Sequence, residues 1–425
     1  MRILWIVNIM LPDFALSMGL PFSNREGWLS DLADRFKYGD DDIYIAFPTT
    51  DRSLLFKQIK SGKIEYLAFY EDLSHPERYI PELEGVFKKM ISEIKPDVLH
   101  VSGSEFPHAL AAVAAFNNPE RTVISMQGIC RRIAGDYTAM LPEKVVNSFS
   151  LRDILRRDSI RSQRRKFYLR AVNETRALGI THNVIGRTSF DKEAVLEINE
   201  ELRYFCVNET MRKSFYEGKW DINNMHPHTI FVGQGDYPIK GMHFLIKACG
   251  ELIADYPDLR IVIAGNSIIN ARTLKERIKL PAYGIYLRRL IKENNLEGHI
   301  ETTGMLNEEQ MKERYLSSSV FVLPSYVENS PNTLAEAMLL GVPVVTSDAG
   351  GVKDMINPDE GYIFKRGDHA GMARLIAKVW EDEGKKPESI IQTTQRCIEH
   401  ARAEFDADQN FKALLNVYKE IVNEA

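Results

Sequence analysis

SYVENSPNTLAEAMLLGVP, residues 325–343, lies between two short apolar runs, 320–323 closed by Pro324 and 344–346 preceded by Gly341 and Pro343. Short apolar runs bounded by breakers read as strands, and Leu334, Met338 and Leu339 recur between them at helical spacing. The segment predicts strand, loop, helix, strand, with Glu328 in the loop and Glu336 in the first turns of the helix. Unpaired N–H groups at a helix N-terminus suit a phosphate, and carboxylates beside them accept bonds from hydroxyl groups. A ligand with both, such as a sugar nucleotide, fits the pattern. Taken alone, two glutamates at this spacing fit a solvated helix face better than a ligand site, and it is their context that favours the ligand.

The same alternation extends in both directions. Strand-like runs at 3–7, 43–47, 64–69, 98–101, 122–126 and 183–185 are separated by stretches of helical spacing such as 27–36, 81–94 and 106–115. A second series follows at 229–232, 260–264, 299–302, 320–323, 343–346 and 362–364. Alternation of this kind predicts α/β domains with parallel sheets covered on both faces, whose ligands bind beyond the carboxyl ends of the strands. The polar stretch 217–228 marks the break. We expect one domain over 1–217, a second over 218–400, and a helix over 401–425 that packs back on the first.

Composition narrows the class. The chain has 425 residues, 44% hydrophobic and 27% charged, which suits two soluble domains with ample core. A net charge of -5 gives no general attraction to nucleic acid. Cys130, Cys206, Cys249 and Cys397 lack metal-ligand or disulfide spacing, so a reducing, cytoplasmic setting is expected. No window approaches the ~20 apolar residues of a membrane span. One local bias departs from the average: Arg152, Arg156, Arg157, Arg161, Arg164, Arg165, Lys166 and Arg170 are opposed only by Asp153 and Asp158. On one helix Arg157, Arg161, Arg164 and Arg165 would share a face, near Met140, Leu141, Val145, Val146 and Phe149. Residues 140–170 therefore read either as a solvated helix or as a segment that docks on an anionic membrane, on its cytoplasmic face.

After the strand at 229–232 comes Gly233-Gln-Gly-Asp-Tyr-Pro-Ile-Lys240-Gly241 and then a helical stretch from Met242. Glycines admit close approach of a ligand, and Lys240 adds charge suited to a diphosphate, although the spacing is not that of a nucleotide-binding P-loop. Together with Ile261-Val-Ile-Ala-Gly265, Thr303-Gly304-Met305, Leu323-Pro-Ser325, Glu328, Glu336 and Gly350-Gly351, this succession resembles the C-terminal half of family 4 glycosyltransferases over residues 229–380. Asn24-Arg-Glu-Gly27-Trp28, Gln127-Gly128, Ile185-Gly-Arg187-Thr188 and Asn208-Glu-Thr-Met-Arg212 resemble a bacterial subgroup associated with capsular and surface polysaccharides.

The resemblance implies the GT-B fold, two Rossmann-like doubly wound domains facing across a cleft. It further implies retaining transfer of a hexosyl unit from a nucleotide diphosphate sugar to a glycan or lipid-linked glycan, with neither metal nor cofactor. By resemblance, Lys240 and the backbone of Pro331, Asn332, Thr333 and Leu334 bind the diphosphate, Glu336 the ribose and Glu328 the hexose hydroxyls. Gly233 and Gln234 flank the phosphates, Gly27 forms the first domain's glycine loop, and Asn266 and Met305 are candidates beside the base. Trp28, Gln127 and Arg187 are candidates on the sugar or acceptor side, and buried packing suits Trp28 equally. Two positions depart from the family: Gln234 stands where an arginine is usual, a loss that Arg25 or Arg187 would have to replace, and Gln127 stands where a histidine is common. Glutamine donates and accepts hydrogen bonds but carries no titratable proton. His100 and His108 read as ordinary polar or packing histidines rather than as catalytic bases. The alternatives are a sugar-nucleotide epimerase or hydrolase on the same fold, or a non-catalytic binding or scaffold protein.

Overall fold

A computed structural model describes residues 1–21, 27–55, 57–271 and 273–424. The chain divides into two units: residues 1–134, 166–212 and 405–425 form the first, and 135–165 with 213–404 form the second.

The first unit is built on β1 (Arg2–Ile6), β2 (Asp42–Thr49), β3 (Ile59–Ser61), β4 (Ile64–Tyr70), β5 (Val98–Ser102), β6 (Thr122–Ser125), β7 (Asn183–Gly186) and β8 (Arg203–Cys206). Their order is β3-β4-β2-β1-β5-β6-β7-β8, parallel except for the β3–β4 pair. Successive side chains of a strand point to opposite faces, and here the two faces feed separate cores. Ile3, Trp5 and Val7 pack with Leu414, Val417, Tyr418 and Ile421 of the helix Ala407–Glu424. Leu4 and Ile6 pack on the other side with Phe87 and Leu110.

The second unit carries β9 (His226–Val232), β10 (Arg260–Ala264), β11 (Ile300–Gly304), β12 (Ser318–Leu323), β13 (Val344–Ser347) and β14 (Tyr362–Phe364) in the order β11-β10-β9-β12-β13-β14, all parallel. All residues of β12 and β13 are buried, as a sheet covered on both faces requires. The quoted stretch folds as expected: after β12 comes a loop with Glu328, then the helix Asn332–Leu340, then β13.

Two features differ from the sequence reading. Residues 135–165 group with the second unit rather than the first. Asp136 binds Arg366 at 2.9 Å, the Ala139 carbonyl meets His243 Nε2 at 2.9 Å, and Asp153 Oδ2 accepts the Ala282 N–H at 2.8 Å. Burial holds His243 neutral, with its pKa lowered to about 3. The basic segment is also two helices, Leu151–Arg156 and Ile160–Gly179, not one. Arg157 takes φ 52° as the left-handed cap of the first, so it leaves the face shared by Arg161, Arg164 and Arg165.

Candidate active site

In the second sheet the strand order reverses between β9 and β12, and their carboxyl ends form the switch point where open α/β sheets bind ligands. The loop after β9 carries Gly233 to Lys240 and the loop after β12 carries Ser325 to Glu328, so topology alone brings the two motifs together. Gly241 lets them touch. It has φ +71°, and a Cβ there would lie 1.8 Å from the Pro324 carbonyl oxygen, a position only glycine tolerates. The Tyr326 N–H donates to the Ile239 carbonyl at 2.7 Å and completes the junction.

At this junction Lys240 Nζ donates to Glu328 Oε1 at 2.7 Å, and Ser325 Oγ donates to the same oxygen at 2.7 Å. The Glu328 carbonyl accepts the Gly351 N–H at 3.2 Å, which ties in the glycine pair predicted from sequence. An ammonium group has three protons, so Lys240 retains donors for a further anion while it holds Glu328. Helix Asn332–Leu340 starts at Pro331 with no side-chain cap, leaving its first N–H groups as an anion site. Gly233 faces the first turn of that helix: a Cβ on it would lie 2.7 Å from the Thr333 side chain.

Glu336 is buried, one turn into the helix. Tyr315 Oη lies 3.2 Å from Glu336 Oε2 and 2.9 Å from the Thr333 carbonyl, sharing its proton between them. Phe231 and Phe321 pack on the Tyr315 ring. Gln234 Nε2 donates to Asp236 Oδ1 at 2.9 Å, so the amide that replaces the family arginine is held by a carboxylate. Asn266 and Met305 are exposed on neighbouring loops joined by the Gly265 N–H to Gly304 carbonyl bond at 2.9 Å. Beside them opens a cavity of about 560 Å³, lined on one side by Asp236, Tyr237 and Asn266 and on the other by Arg152, Arg156 and Gln163.

The remaining candidates belong to the first unit. Gly27 begins the helix Gly27–Phe36, while Arg25 and the Trp28 side chain lie outside the described residues. Gln127 follows β6 and its Oε1 accepts from Asn8 Nδ2 at 2.9 Å. Asn8 Oδ1 lies 3.1 Å from His108 Nε2, and His108 Nδ1 lies 2.8 Å from Glu71 Oε2. A hydrogen-bonded chain Glu71, His108, Asn8, Gln127, buried except at the half-buried Gln127, therefore runs along the carboxyl ends of β4, β1 and β6, and His108 is a polar member of it. His100 is bound by Tyr418 Oη and Ser125 Oγ, both at 2.6 Å, and burial lowers its pKa to about 3. Arg187 is buried in an ion pair with Glu209 and donates to the Met126 carbonyl at 2.9 Å. Its charge is thus compensated within its own unit, which argues against it as the substitute for the missing phosphate arginine.

Sequence reasoning missed Tyr315, Asp236 and the orienting role of Ser325. Ser325, three positions before Glu328, carried a signal. Tyr315 carried none, because its contact exists only once two helices pack.

Residues 212–399 match the family model of glycosyl transferases group 1. TuaC of Bacillus subtilis, named as a teichuronic acid biosynthesis glycosyltransferase, is 33% identical over 125 residues, 29% of this chain and 31% of that one. The phosphatidyl-myo-inositol mannosyltransferase of Mycolicibacterium smegmatis is 26% identical over 169 residues, 39% of each chain. The chain thus spans about a third of the length of the curated relatives it matches. Among solved structures, the sucrose-phosphate synthase of Thermosynechococcus elongatus superposes with a TM-score of 0.69 at 13% identity over 100% of both chains. Anabaena Alr3699/HepE in complex with UDP and glucose gives 0.66 at 16% identity, covering 99% of this chain and 100% of that one. The fold is GT-B, and residues 212–399 are the part that matches the glycosyl transferases group 1 model.

Proposed function

We propose that this protein is a retaining, metal-independent glycosyltransferase that moves a hexosyl unit from a nucleotide diphosphate sugar to a hydroxyl of a glycan or lipid-linked glycan in bacterial surface polysaccharide synthesis. The observation that carries this reading is the junction of Lys240, Glu328 and the uncapped N-terminus of helix Asn332–Leu340 at the switch point of the second sheet. The acceptor oxygen bonds to the anomeric carbon on the face from which the diphosphate leaves. The bond between that carbon and the phosphate oxygen breaks with its electron pair going to the phosphate, and the hydroxyl proton passes to the departing oxygen. Negative charge grows on the diphosphate, where Lys240 and the helix N–H groups are already in place, so stabilisation there needs no divalent cation. Glu328, fixed by Lys240 and Ser325, accepts from the hydroxyls of the transferred sugar, and Glu336, held by Tyr315, accepts from the ribose. Asn266 and Met305 border the base. The relatives named for surface polymers support the polymer context, and the UDP and glucose of Alr3699/HepE make UDP-sugars the first donors to test.

A UDP-sugar that is the donor raises the melting temperature by mass action. Lys240→Ala lowers turnover ~10²- to 10³-fold, the usual cost of losing one fixed donor to a developing anion. Radiolabelled sugar transfer to membrane lipid extract, run beside thermal shift, measures both. Near-normal turnover in the variant would sink the assignment.

A further inference from the structure

The helix Leu151–Arg156 is inverted relative to an ordinary surface helix. Its inward residue is Asp153, buried, which closes a capping box with Ser150 and also accepts the first N–H of helix Ala282–Glu293. Its outward residues are apolar: Leu151, Ile154 and Leu155, at i, i+3 and i+4, are 62%, 55% and 85% exposed, and Phe149 just before them is 68% exposed. Water against a whole helical face of this kind is unfavourable, and an exposed apolar patch with a polar rim marks a docking surface.

The rim is cationic. Arg156, Arg157, Arg161 and Arg165 are exposed, and none has an ion pair among the described residues. The only nearby acids within the segment, Asp153 and Asp158, are neutralised by Arg152, at 3.4 and 2.9 Å. The segment is held firmly, through Asp136, Ala139 and Asp153, so the patch is presented by a fixed support rather than a loose loop.

We infer that residues 149–165 are a membrane-docking element, in which Phe149, Leu151, Ile154 and Leu155 enter the headgroup region of an anionic bilayer while Arg156, Arg157, Arg161 and Arg165 bind its phosphates. Four exposed apolar side chains with four exposed arginines in the same short segment match the mixed apolar and anionic chemistry of a lipid interface. A two-turn helix offers far less than the roughly 800 Å² per partner that a stable protein interface buries, which disfavours a second copy or another protein as occupant. The inference does not depend on glycosyl transfer, since docking needs no donor.

The test is co-sedimentation of the full chain with vesicles of phosphatidylcholine, with and without phosphatidylglycerol. The wild type sediments with the anionic vesicles. Each arginine changed to Gln weakens binding about fivefold, the fold-change of ~1 kcal/mol per basic residue at an anionic surface. Leu151→Ser with Leu155→Ser weakens it further at constant charge, while the melting temperature and the shift given by a UDP-sugar stay unchanged, because both side chains face outward. Wild-type binding by both sets of variants overturns the inference. So does concentration-dependent dimerisation of the wild type that Leu155→Ser abolishes, which would give the face to a second copy. A protein that docks normally yet fails to turn over any sugar nucleotide would overturn the transferase reading and leave this one standing.

Discussion

Glu174, in the first unit, is fully buried, and its Oε1 accepts from Ser104 Oγ at 2.7 Å and from the Cys130 N–H at 3.2 Å. Loss of hydration raises its pKa from 4.5 to about 7, against the opposing effect of those bonds. The native state therefore holds the proton more tightly than the unfolded chain. The stability this contributes is complete below pH 4.5 and is lost as pH rises through about 7. At ~1.36 kcal/mol per unit the loss is on the order of 3 kcal/mol. Glu174→Gln removes this share of the dependence, so between about pH 5 and pH 8 its urea midpoint should fall less than that of the wild type. Parallel pH profiles would show that Glu174 is not the group responsible. Neither Glu174 nor the Glu71–His108 pair was legible in the sequence as a buried ionisable group, because burial of a polar residue depends on elements far along the chain. The placement of Lys240, Glu328 and Glu336 beyond strand ends was legible because strand ends are marked by apolar runs and breakers.

Elements carried the most readable signal where both faces are buried. The runs that became β1, β5, β9, β12 and β13 each contain two or more adjacent residues from Val, Ile, Leu and Phe, and their limits were foreseen to within a few residues. β3 and β8 were missed: β3 has three residues at a sheet edge, and β8 reads Arg-Tyr-Phe-Cys with no fully buried position. Edge strands bury little, so composition marks them weakly. The break between Leu151–Arg156 and Ile160–Gly179 was missed because nothing in Arg157-Asp158-Ser159 is a strong breaker; the left-handed turn follows from Asp153 being drawn inward to cap another helix. The contact of the loops after β9 and β12 gives an element-scale prediction. Gly241→Ala imposes a left-handed residue, costing ~1–3 kcal/mol, and in addition forces the backbone away from Pro324. The thermal midpoint should drop and the KM for donor should rise together, as steady-state kinetics would read; a changed midpoint with unaltered KM would mean that the junction does not set the site.

At the scale of the whole molecule the chain is interleaved. The polar stretch 217–228 ends in the first residues of β9, and the second unit resumes at 213. The excursion of 135–165 was not legible, since its anchors on His243, Ala282 and Arg366 are long-range. Helix Ala407–Glu424 returns to the first unit, where Tyr418 is bound to His100 and packs in the core with Trp5 and Phe36. Tyr418→Ala opens a cavity there worth ~3–5 kcal/mol. Hydrogen exchange should accelerate in β1 and β5 while β9 and β12 keep their protection; equal loss in both sheets would contradict two separately supported cores. The same return of the chain has a consequence in time. During synthesis, the face of the first sheet carrying Ile3, Trp5 and Val7 stays open while residues 213–404 are made, roughly 10–40 s at ribosomal speed. The second unit, begun later, has its full sequence first, and the older half of the chain waits for the newest helix to close over it.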